Sequence, residues 1–137
     1  MLTKAYIPYR GYYSTPFVRW QGSLANEHSI VLGANTSRRF FESKGWDPKM
    51  IEYVLVGSTV YQKQWFYSGP WAAGMMGAAG VPGVLVSQAC STSTFAVYQA
   101  GMGIETGLFG NGWVPSPTAA PTAPTPAGPT RTDPAAR

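Results

Sequence analysis

Cys90 is the only cysteine of the chain, and its surroundings are those of a nucleophile. Upstream, Val84, Leu85 and Val86 form a short apolar run rich in β-branched residues, which reads as a buried strand over 84–86. The run breaks at Ser87-Gln88-Ala89, and Cys90 follows. Ser91, Thr92 and Ser93 come next; these residue types favour helix N-termini, and a long apolar stretch continues from them. The cysteine therefore falls where a strand ends and a helix begins. At such a point unpaired N–H groups and the positive end of the helix dipole favour an anionic thiol, which is what covalent catalysis by cysteine requires. The alternative is a small buried apolar residue, the common role of an isolated cysteine; the strand-to-helix position argues for the nucleophile.

The segment Gln88-Ala-Cys-Ser-Thr-Ser-Thr-Phe-Ala-Val97 resembles the nucleophile segment of thiolases, acyltransferases that make or cleave 3-ketoacyl-CoA. Upstream, Thr15-Pro-Phe-Val-Arg-Trp-Gln-Gly-Ser-Leu24 is similar to their N-terminal signature of Thr-Pro-Phe followed by Gly-Ser-Leu. The order and separation of the two segments match, and the likeness runs over 5–110. Ketoacyl synthases carry a turn similar to the cysteine segment, so a ketoacyl synthase fragment is a weaker alternative; the Thr-Pro-Phe segment favours thiolase. The resemblance implies that Cys90 accepts an acyl group from acyl-CoA, with its backbone N–H as an oxyanion-hole donor. Thr92-Ser93 stands where many thiolases have Ser-Gly, so the turn departs from the family there.

In that family the histidine that activates the nucleophile, and a second acid/base cysteine, come from a C-terminal half. Here the sole histidine, His28, lies before the first expected helix, away from the family's position, and is expected at the surface. There is no second cysteine. The resemblance thus implies an N-terminal portion of the thiolase fold, carrying the nucleophile and inactive alone. The alternative is a non-catalytic scaffold or subunit that pairs with a separate chain supplying the missing half. Acyl-CoA, and either a second copy or a complementing thiolase-like chain, are the partners implied. No phosphate-binding G-x-x-x-x-G-K-[ST], no G-x-S-x-G and no Cys or His pair at metal spacing occurs, so no cofactor or metal is expected.

The elements that position these residues follow from periodicity. The chain has 137 residues, enough for one domain, and 45% apolar residues, enough for a core. Only 12% are charged, well under the usual quarter, which suggests a surface covered by something else. The net charge of +4 is scattered rather than clustered, which argues against a nucleic-acid footprint. With one cysteine, no secretory leader and no apolar run near the ~20 residues of a membrane span, the expected location is cytoplasmic.

A first strand is expected at 5–9, although Pro8 cannot donate to a ladder. A loop rich in Gly, Tyr and Ser follows; its aromatics Tyr9, Tyr12, Tyr13, Phe17 and Trp20 suit an interface. A helix is expected over 30–44 with Gly45 as its stop. Asp47-Pro48 should start one short turn, and Glu52-Tyr-Val-Leu-Val-Gly57 the second strand. An aromatic loop at 60–68 leads to a helix over 70–79 rich in Ala and Gly, a composition that implies close backbone contact. The strand at 84–86 comes next, then a helix over 91–108, apolar on all sides and so expected to be buried on all sides. This order reads as α/β with a partial, mainly parallel sheet and flanking helices. Composition shifts after Asn111, so 1–111 reads as the partial thiolase domain. Residues 112–137 read as a disordered Pro/Thr/Ala-rich tail outside the family's pattern. An out-of-frame continuation and a linker to a further domain both remain open for it.

Overall fold

The computed structural model describes residues 2–19 and 21–117. Its centre is β1 (Tyr53–Gly57), flanked by β2 (Gly83–Val86) and β3 (Gly112–Trp113) in a three-stranded sheet of order β2-β1-β3. Both pairings are parallel, with Val54 opposite Gly83 and opposite Trp113. Helices cover both faces of β1, which explains its unbroken apolar run in place of alternation. Val54 and Val56 face a cluster with Ile30, Ala34, Phe41, Ala72, Ala73 and Met76. Leu55, pointing the other way, packs with Ala100 and Phe109.

Helix α1 (Ser29–Lys44) buries Ser29, Ile30, Ala34, Ser37, Phe40 and Phe41, a single stripe at helical spacing. It ends at Gly45 in the left-handed conformation (φ 65°), where the Gly45 and Trp46 N–H groups bond back to Glu42 and Phe41. That is the glycine stop expected there. The Asp47 carboxylate then accepts from Lys49 N at 2.9 Å and Pro48 opens a single 3-10 turn, Pro48–Met50.

Helix α2 (Ser68–Met75) is shorter than expected, since Gly77 turns left-handed (φ 98°). Its small residues do serve close contact: Ala72 and Ala73 are buried. Gly69 lies so near the backbone of β2 that a Cβ there would run into Gly83. A single 3-10 turn, Ala89–Ser91, links β2 to α3 (Thr92–Glu105). α3 buries one stripe of Thr92, Ala96, Ala100, Gly101 and Gly103.

Three expectations need correction. Residues 5–9 form no strand. Pro8 instead accepts from Gly11 N at 2.8 Å in a turn that sets Arg10 left-handed (φ 58°), because proline suits a turn better than a ladder. The residues before it are tied elsewhere. Thr3 N, Thr3 Oγ1 and Lys4 N donate to the Glu105 carboxylate at 2.7 to 3.1 Å, and Leu2 rests against Gly101. Second, α3 is not buried all round: Val97 and Tyr98 are exposed, since one side of the helix meets the sheet and, away from the sheet, the N-terminal segment reaches it only around Gly101 and Glu105.

Third, the folded chain does not stop at Asn111. β3 pairs with β1, Gly57 N donates to Pro115 O at 2.9 Å, and Pro117 packs against Gly33. Trp113 supplies the reason. Its Nε1–H donates to Ser37 Oγ at 2.9 Å, and its ring meets Phe40 and Phe41 at centroid distances of 5.6 and 4.6 Å. The expected disorder over 118–137 lies outside the described residues.

Candidate active site

Parallel strands direct their carboxyl ends to one rim of a sheet, and in open α/β sheets that rim is where ligands bind. Here β2 leaves the rim through Ser87 and Gln88 into the turn Ala89–Ser91, and Cys90 stands exposed at the middle of that turn. The strand-to-helix position expected for Cys90 is therefore observed, with α3 starting two residues later. The neighbouring rim is made by Gly57 and Ser58 at the end of β1, where Ser58 N donates to Val86 O at 3.0 Å, and by Pro115 and Ser116 after β3.

The turn is held by side chains that sequence reading took only as helix starters. Thr92, 5% exposed, accepts from Gln88 N at 2.7 Å and donates to Ala89 O at 2.7 Å through the same hydroxyl. Ser91 donates through both N–H and Oγ to Gln88 O, at 3.1 and 2.9 Å. Ser91 thus does not cap α3 through its side chain; the hydroxyl turns back into the loop. Ala89 is left-handed, with φ 44°. Hydroxyl residues before an apolar helix signal a cap or a turn, but the spacing alone does not distinguish Thr92 from its neighbours. What singles it out is burial against Gly57, where its Cγ2 would lie 3.1 Å from an added Cβ.

His28 is not the surface residue expected. It is half-buried at the N-cap of α1, its ring edge-on to Trp71 at 5.2 Å. Nε2 lies 2.6 Å from Lys63 O, and a carbonyl only accepts, so Nε2 carries the proton. Nδ1 is buried without a partner among the described residues. With Gln62, which accepts from Ser29 N at 2.6 Å and donates to Glu27 O, His28 fastens the aromatic loop to the start of α1.

The Thr15–Leu24 signature is brought against α1. Thr15, Pro16, Val18, Ser23 and Leu24 line an open cleft of about 310 Å³ with Leu32 and Arg39. A second cleft, about 260 Å³, lies between β1 and α3 beside Tyr53, Met102 and Phe109. Cys90 lines neither. Among the described residues no group of three or more His, Cys, Asp or Glu is placed to hold a metal ion, and no helix is long and apolar enough to cross a membrane.

No family model matches the sequence, and no curated protein does. Solved structures do match its fold. The acetyl-CoA acetyltransferase of Syntrophomonas wolfei aligns with a TM-score of 0.66 at 23% identity, over 73% of this chain and 26% of that one. The acetyl-CoA acetyltransferase of Bacillus anthracis aligns with a TM-score of 0.59 at 22% identity, over 65% of this chain and 23% of that one. The chain spans about a quarter of the length of these proteins. Its helices and small parallel sheet match part of the thiolase fold.

Proposed function

We propose that the chain is the nucleophile-bearing part of a thiolase-type acyltransferase, with Cys90 as the residue that accepts the acyl group from acyl-CoA. The observation that carries the reading is the exposed thiol on the turn after β2, at the carboxyl rim of the parallel sheet. Its support is the shared fold with acetyl-CoA acetyltransferases. In the step proposed, the Cys90 sulfur attacks the thioester carbonyl, the carbonyl oxygen gains charge, and the Cys90 backbone N–H stabilises it. The carbon–sulfur bond to CoA then breaks, and the departing CoA sulfur takes up a proton that balances the one the Cys90 thiol gives up, leaving an acyl-cysteine and free CoA. Completing a turnover needs a base at the nucleophile and a second acid/base group. His28 is engaged on Lys63 O and there is no second cysteine. These groups are assigned to a partner chain, either a second copy or a complementing thiolase-like chain. The exposed Val97 and Tyr98 on α3 favour such a partner.

Peptide mass spectrometry after incubation with acetyl-CoA tests the reading. The expected result is one acetyl group on Cys90, absent in Cys90→Ser, with no sustained thiolysis or condensation. Acetylation elsewhere with Cys90 untouched contradicts the reading, and so does sustained turnover that survives Cys90→Ala.

A further inference from the structure

We infer that Thr92 is the positioning residue of the nucleophile turn: its hydroxyl locks Ala89 in the left-handed conformation and thereby fixes where Cys90 points. The inference rests on the reading of Cys90 as nucleophile. Alanine avoids this region because its Cβ crowds the following carbonyl, so Ala89 at φ 44° needs outside support. The Thr92 hydroxyl provides it from both sides, taking the Gln88 N–H and bonding the Ala89 carbonyl, each at 2.7 Å. The bonds bracket Ala89, and the next residue is Cys90. Ser91 fixes the remaining end of the Gln88 peptide through Gln88 O. The Thr92 methyl rests against Gly57 on β1, so the lock is referenced to the central strand and not only to its own helix. A buried hydroxyl on the first helical residue with both hydrogen-bonding functions spent on the preceding loop is a device for holding that loop. A cap would use it on the helix's own N–H groups.

Two variants separate this role from ordinary packing. Thr92→Val keeps the shape and the Gly57 contact and removes both hydrogen bonds; Thr92→Ser keeps the bonds and removes the methyl. In the folded protein, the one-bond Cα–Hα coupling of Ala89 by NMR, smaller at positive φ than at negative φ, reports whether the residue stays left-handed. Acetyl transfer from acetyl-CoA to Cys90, followed by mass, reports the consequence. Thr92→Val is expected to shift the Ala89 coupling toward ordinary extended or helical values and to slow transfer about tenfold. Thr92→Ser is expected to retain both within about twofold, even where its melting temperature falls. An unchanged Ala89 coupling in Thr92→Val overturns the lock. A changed coupling with unchanged transfer overturns its functional role. If wild-type Cys90 takes no acetyl group, the acyltransferase reading fails and the functional role falls with it, and the coupling alone then decides the lock. Should Thr92→Val not fold, Ala89→Gly decides. Glycine accepts a left-handed φ unaided, so Ala89→Gly/Thr92→Val is expected to fold, and failure of that pair shows that Thr92 acts through general packing.

Discussion

At the scale of single residues, the fold depends on places where side chains are missing as much as on those present. Gly69 is the sharpest of these. The first turn of α2 approaches β2 so closely that a Cβ on Gly69 would collide with the Gly83 backbone and lie 2.5 Å from Val84 N. Backbone atoms in a paired strand cannot swing aside, so the cost is that of overpacking. Gly69→Ala is expected to destabilise by about 2 kcal/mol or more, read as a lower urea midpoint at unchanged m value; an unchanged midpoint would show that the helix is free to shift. Such contacts are legible in sequence only as composition. The Ala/Gly-rich stretch announces close approach, but which glycine meets which strand depends on register. The turn that carries Cys90 was legible as a turn between strand and helix, because residues with different preferences meet there in order: β-branched, then hydroxyl, then helical. Thr92 was not, because a caps-and-turns preference is shared by Ser91 and Ser93, and only burial tells them apart.

At the scale of elements, runs with one strong period were legible and segments that borrow their structure from distant partners were not. α1, β1 and β2 appear within a residue or two of where periodicity puts them. β3 is two residues long and followed by prolines, so composition assigns it to the tail. Its structure comes from Trp113, wedged among Phe40, Phe41 and Ser37 of α1. Trp113→Ala is therefore expected to lower stability by about 3–5 kcal/mol, measured by denaturant melts. A change within about 0.5 kcal/mol, typical of an exposed position, would show that 112–117 are not part of the core.

The N-terminal segment shows the same borrowing. Hydrogen bonds from Thr3 and Lys4 hold the Glu105 carboxyl down from 4.5 to about 2. Because the folded-state value lies below the unfolded one, the latch is fully present above pH 4.5. It weakens as pH falls and is gone below about 2. Hydrogen exchange at the Thr3 and Lys4 amides, measured against pH, is expected to lose protection through that window, corrected for intrinsic rates. Glu105→Ala, which removes the acceptor, should lack protection at every pH. Protection that persists in the variant would show that Leu2 on Gly101 holds the segment without the carboxylate.

At the scale of the whole molecule, the described residues carry apolar surface that they leave uncovered among themselves. Tyr6, Tyr9, Tyr12 and Phe17 stand out from the N-terminal segment, Phe66 and Tyr67 from the aromatic loop, and Val97 and Tyr98 from α3. An α/β architecture with few charges was readable from the sequence. Which helix face stays bare was not, because that depends on a layer absent from the described residues. The match to about a quarter of larger acetyltransferases gives this bareness a meaning consistent with the proposed partner. Its chemical consequence converges on Cys90: the described fold supplies a presented thiol at a sheet rim, and under the proposed function the groups that complete the chemistry belong to a partner chain. The most direct test asks whether folding makes Cys90 a better nucleophile. Iodoacetamide labelling of this single thiol is followed by mass in native buffer and in urea at the same pH, each normalised to free cysteine in that solvent. The account predicts faster labelling in the folded protein, with the advantage lost in urea. Equal or slower labelling of the folded protein would contradict it.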